Sequence, residues 1–201
     1  MQFTSYRSLA ALFLVLAAPS AHAGVRVDIE AFNGFSAGDR AKAEAAITVI
    51  ESVLGSEEFR QKVLNFTYNG RKQFVSTDKS NDEVYAMLMA GKETYSQEAD
   101  GEMNLNLNLY APPFYKRWSV VGYTYPNTNQ IFVNRYYYGT FQPEQIAGNF
   151  THEWCHKIGF DHDFKRTSRR PASVPYAIGS MVVEMGKAVR EGTLTLHPAQ
   201  N

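Results

Sequence analysis

The chain has 201 residues with 20 basic and 20 acidic side chains, and 44% of it is hydrophobic. Zero formal charge gives no electrostatic basis for nucleic acid or an anionic membrane as partner. The length suits one domain with a real hydrophobic core, and a single cysteine excludes an internal disulfide.

Residues 1–23 are expected to be a signal peptide. Arg7 supplies the positive start, Leu9 to Ala18 form an apolar run too short to span a bilayer, and "PSAHA" suits cleavage after Ala23. The mature chain then begins at Gly24, carries no membrane span, and works outside the cytoplasm, secreted or periplasmic. No repeat or linker divides residues 24–201, and nothing in them signals an oligomer, so a monomer is expected.

"VRVDIEAF" (25–32) alternates apolar and polar residues and predicts a strand. Ser36 can cap a helix through 41–55, where Ala43, Ile47, Ile50 and Leu54 recur at helical spacing. A second short helix is predicted over 56–66, a strand over "KQFVSTD" (72–78), and another helix over 81–93. "GEMNLNLNLY" (101–110) alternates strictly, placing Met103, Leu105, Leu107 and Leu109 on one face of a half-buried strand. "WSVVGYTYPNTNQIFVNRYYYG" (118–139) reads as a hairpin turning at "PNTN". A helix should start at Pro143 and end before Gly159, which accepts the left-handed conformation at a helix end. A loop (160–173) and a last helix (175–192) complete an α+β pattern.

The helix that starts at Pro143 carries "THEWCHKIGFDHD" (151–163), with three of the chain's five histidines. His152 and His156 lie side by side, about 40° apart around the axis. Ile146, Ala147, Phe150, Trp154 and Ile158 fall roughly 120° to 240° from His152, so the core takes the other side. After the turn at Gly159, His162 can return and supply a third nitrogen. Three neutral imidazoles leave a zinc ion one open position, the arrangement of a catalytic rather than a structural site. Glu153, about 100° from His152, is placed to reach a zinc-bound water and act as its general base.

The complete pattern His-Glu-x-x-His-x-x-Gly-x-x-His, made by His152, Glu153, His156, Gly159 and His162, resembles that of the metzincin zinc endopeptidases. Asp163 after the third histidine is similar to the ending of the reprolysin-like and snapalysin-like branches. The resemblance implies a twisted mixed sheet, an early backing helix, the active-site helix, and a small helical C-terminal subdomain from about residue 160. It implies one catalytic zinc ion, a peptide or protein substrate, and hydrolysis by a Glu153-activated water. It places an edge strand along the cleft at Val120, Val121, Gly122, Tyr123, Thr124 and Tyr125, where a peptide can add as a strand. It also implies a methionine-bearing turn beneath the metal, either at Met181 or with Val174 in its place. In the second alignment Tyr176 becomes a candidate for stabilising the oxyanion or ligating the metal.

Cys155 is expected at the edge of the core and not as a ligand. The basic loop "FKRTSRR" (164–170) is either a solvated face or a source of preference for carboxylate-bearing substrates. Two other functions share the histidines: a zinc-containing module that binds a peptide or partner with little turnover, and a zinc hydrolase of a non-peptide amide. Binding alone has no use for Glu153.

Overall fold

The computed structural model describes residues 24–96, 98–125 and 127–200, so the expected signal peptide lies outside the described residues. Strand β1 (Arg26–Asn33) leads through helices α1 (Ala37–Leu54), α2 (Glu57–Leu64) and α3 (Asn81–Ala90) to β2 (Glu102–Tyr110). Then come β3 (Gly122–Thr124), β4 (Gln130–Asn134), α4 (Arg135–Thr140), α5 (Pro143–Lys157) and α6 (Val174–Arg190). The strands form one mixed sheet in the order β1-β2-β4-β3. β1, β2 and β4 run parallel, while β3 pairs antiparallel with β4 and forms an edge. The class is α+β, and no described helix is long and apolar enough to cross a membrane.

Local chemistry accounts for the main elements. Ser36 caps α1 by accepting from the Asp39 amide at 3.2 Å, and the Asp39 carboxylate accepts from the Ser36 amide at 3.0 Å. Ser80 and Glu83 repeat that reciprocal cap at α3. In β2 the alternation is realised as read: Met103, Leu105, Leu107 and Leu109 are buried and the asparagines between them are half-buried. Their apolar face joins Ile131 and Val133 of β4 and the inner faces of α1 and α5 in one core.

Helix α5 is central, because α6 packs along its other flank. Gly148 and Gly179 meet at the crossing, where an added Cβ on either would lie 2.7 Å from the other's carbonyl oxygen. A side chain at Gly179 would also come within 3.2 Å of the His152 Cβ. Only glycine lets the two backbones approach so closely, and this approach brings α6 up to the first histidine. Arg190 closes the far end of the pair by donating twice to the buried Glu144 carboxylate, at 3.0 and 3.1 Å.

Two expected strand segments fold otherwise. "KQFVSTD" makes a single bridge, Val75 to Ser173, and no ladder. Phe74 instead stacks on Phe66 with ring centroids 4.3 Å apart, and Ser76 turns the chain at φ 61°. The end of the expected hairpin, "RYYYG", forms α4. Asn134 causes this: its side-chain oxygen caps Tyr136 at 3.0 Å while its amide donates to Arg117 and Val120 carbonyls at 2.9 and 2.8 Å. Tyrosine's preference for strands yields to that cap and to the packing of buried Tyr138.

Candidate metal centre

The turn after α5 builds the site. Gly159 has φ 96°, the Phe160 amide returns to the Cys155 carbonyl at 3.0 Å, and the Gly159 amide returns to His156 at 3.3 Å. This closure sets the Phe160 carbonyl 2.8 Å from His156 Nδ1 and swings His162 back toward the helix. Ring centroids of His152, His156 and His162 lie 4.9 to 5.3 Å apart, and one nitrogen from each falls within 4.8 Å of the others. The trio can hold a metal ion.

The donor set fits such an ion in tautomer and in charge. A carbonyl oxygen only accepts, so His156 Nδ1 carries the proton toward Phe160, and His162 Nδ1 does the same toward the Asp163 carbonyl at 3.1 Å. Nε2 of each is left to ligate, oriented by the backbone behind it. Burial pushes the His152 pKa down to about 3, with the two neighbouring imidazoles adding to the effect and the Pro175 backbone opposing it. Burial likewise lowers His156 and His162, the direction that favours the neutral imidazoles metal binding requires.

Glu153 lines the same cleft with only 4% of its surface exposed, and among the described residues no hydrogen bond reaches its carboxylate. Burial raises its pKa to about 8, against the pull of Lys157. Tyr176, in the first turn of α6, packs its ring 4.5 Å from His152 and 4.8 Å from His162. Val174 opens α6 as a buried residue, and Met181 is buried in the core and does not line the cleft. Tyr176 is thus an α6 side chain that packs directly on the trio.

The cleft encloses about 1100 Å³. Val120, Val121, Gly122, Tyr123 and Thr124 form one wall, with β3 at the sheet edge. Tyr125 departs from the expected rim: it does not line the cleft, and its carbonyl is tied to Lys157 at 3.1 Å. Asn149, one turn before His152, presses against β3 so closely that a Cβ at Gly122 would lie 2.9 Å from its Oδ1. Cys155 is wholly buried rather than at the core's edge, and burial raises its thiol well above the ordinary range.

Lys157 was not singled out in the sequence, yet it holds the wall in place. It is 1% exposed, and its Nζ donates to the carbonyls of Tyr125, Thr128 and Gln130, the last at 2.9 Å. The signal was available: at 100° per residue Lys157 falls about 140° from His152, inside the apolar stripe. A lysine there has to find acceptors. Lys157→Met should remove a charged donor shared by three carbonyls of the β3–β4 turn, of which Tyr125 and Gln130 keep a threonine hydroxyl and Thr128 loses its Lys157 contact, and cost about 1.5–3 kcal/mol. Urea denaturation of the two proteins checks this, and an unchanged midpoint would mean that the turn holds without the clamp.

Neither a family model, nor a curated protein, nor a solved structure matches the chain.

Proposed function

We propose that the protein is an exported, metzincin-type zinc endopeptidase in which His152, His156 and His162 hold one catalytic zinc ion. The observation that carries this reading is the convergence of the three motif histidines in a cleft that also holds an unpartnered Glu153 carboxylate. Three neutral imidazoles and no thiolate suit zinc with an open position. When bound, zinc supplies Lewis acidity, polarising a carbonyl and acidifying water.

The chain's own groups do the rest. The free edge of β3 accepts an extended peptide as an added strand and lays its backbone across the trio. Glu153 takes a proton from the attacking water and returns it to the leaving amine. Tyr176, against both His152 and His162, is placed to donate its hydroxyl to the developing oxyanion. The mixed sheet with an antiparallel edge strand, the glycine turn after α5 and the Asp163 that follows His162 support the metzincin likeness. The pattern of residues 1–23 supports export, to the periplasm or beyond the cell.

The test is digestion of a proteome-derived peptide library by zinc-loaded mature protein, beside a chelator-treated sample. Internal cuts that vanish with chelator are the expected result. A fully zinc-loaded protein that leaves every peptide intact would refute general endopeptidase activity.

A further inference from the structure

We propose that Arg170 is a carboxylate receptor built into this cleft, so that the preferred substrate carries a carboxylate that docks on its guanidinium beside the histidine trio. The proposal rests on the reading of the cleft as a substrate site and names a substrate class for it.

The basic loop separates into unlike members. Lys165, Arg166 and Arg169 are exposed, whereas Arg170 is half-buried. Its Cζ stands 4.6 Å from the Tyr176 ring centroid, and that ring in turn packs on His152 and His162. The guanidinium is thus one aromatic ring away from the metal-holding side chains. Its Nε is buried without a hydrogen-bond partner, and among the described residues its one side-chain hydrogen bond is a long one, Nη1 to the Phe164 carbonyl at 3.5 Å. Among the described residues it makes no ion pair. An arginine cannot shed its charge, and the Nη2 end of this one, which no hydrogen bond reaches among the described residues, is the part that can meet an acceptor from outside the chain.

The position is also fixed in advance. Thr167 Oγ1 donates to the Asp163 carboxylate at 2.6 Å and accepts from the Arg170 amide at 3.2 Å, so the arginine is anchored to the residue that follows His162. Of the acids lining the same cleft, Glu184 pairs with Lys62 at 2.8 Å, Asp161 lies 3.4 Å from His156 Nδ1, and Glu153 makes no ion pair with Arg170. Exposed Arg166 adds a second positive charge to the lining. A planar guanidinium offers parallel donors that match a carboxylate, and one held in place loses little freedom on binding it. The carboxylate is either an acidic side chain or the C-terminus of a peptide.

The experiment uses zinc-loaded mature protein carrying Glu153→Gln, which keeps substrates intact. Its ligands are one short, neutral, acetylated and amidated peptide and two twins, one with a free C-terminal carboxylate and one with an internal glutamate. Affinity is measured by calorimetry, and the Arg170 Nε–H resonance is followed by NMR. At least one carboxylate twin should bind about tenfold tighter than the neutral peptide and shift that resonance. Arg170→Gln in the same background should bring the affinities to within about twofold, and Arg170→Lys should restore part of the difference. Which twin gains identifies the source of the carboxylate. Should Arg170→Gln not fold, the resonance in the parent protein decides. Equal affinities, no binding by any form, a preference that survives Arg170→Gln, or an unmoved Nε–H overturns the proposal. Carboxylate preference without cleavage of any library peptide would keep the receptor and remove the peptidase reading, and cleavage indifferent to carboxylates would do the reverse.

Discussion

Glu153→Gln should lower turnover by about 10²–10⁴ while zinc content and thermal stability stay at the parent values. The carboxylate is buried, has no hydrogen-bond partner among the described residues, and faces the cleft rather than the core. Glutamine keeps its shape and replaces a buried carboxyl that accepts no hydrogen bond among the described residues, so no structural loss is expected. What is lost is a group able to carry a proton between water and the leaving amine. Burial, against the pull of Lys157, raises that group to about 8, and a dication beside it would pull the value down again. The measurements are kcat on the best library peptide, metal analysis and a melting curve on the same preparation. A variant within about tenfold of the parent rate would place the base on another residue.

The largest loss of stability should come from Trp154, between the two histidines of α5. Its side chain is 0% exposed, and its indole Nε1 donates to the Glu93 carboxylate at 2.9 Å. Glu93 is itself fully buried and accepts from the Asn104 amide at 3.1 Å, so it ties α5 to β2. Trp154→Ala removes a large core side chain and a donor to a buried carboxylate together. It should cost about 3–5 kcal/mol from the cavity alone. Trp154→Phe, which keeps most of the volume and loses the donor, should cost about 1–3 kcal/mol. Urea unfolding of both variants separates packing from hydrogen bonding. If alanine cost no more than phenylalanine, packing around Trp154 would not be what holds α5 to the sheet.

The sequence was most readable where one element carries its own pattern. The alternation of β2, the cap at Ser36, and the division of α5 into a histidine face and an apolar face depend on local spacing, and the structure has them. Gly159 belongs with these, because a helix end followed by a positive φ is a local event. Contacts between distant segments were not readable. α4 exists because Asn134 is held by carbonyls 14 and 17 residues earlier in the chain. Cys155 is wholly buried although its spacing puts it only about 60° from His152, and the approach of α6 to α5 depends on Gly148 meeting Gly179, residues 31 apart in the chain. The role of Arg170 shows only when Tyr176 and the loop after His162 are placed together. Lys157 is the intermediate case, visible on the helical wheel as a charge among apolar residues but not in its partners.

His152, His156 and His162 are proposed together to hold one catalytic zinc ion. X-ray absorption on mature protein purified with one equivalent of zinc tests this most directly. The expected result is stoichiometric zinc with three imidazole nitrogens at about 2.0–2.1 Å and a lighter fourth donor, and loss of that signature in His156→Ala. Zinc bound through other residues, or an unchanged spectrum in His156→Ala, would contradict it.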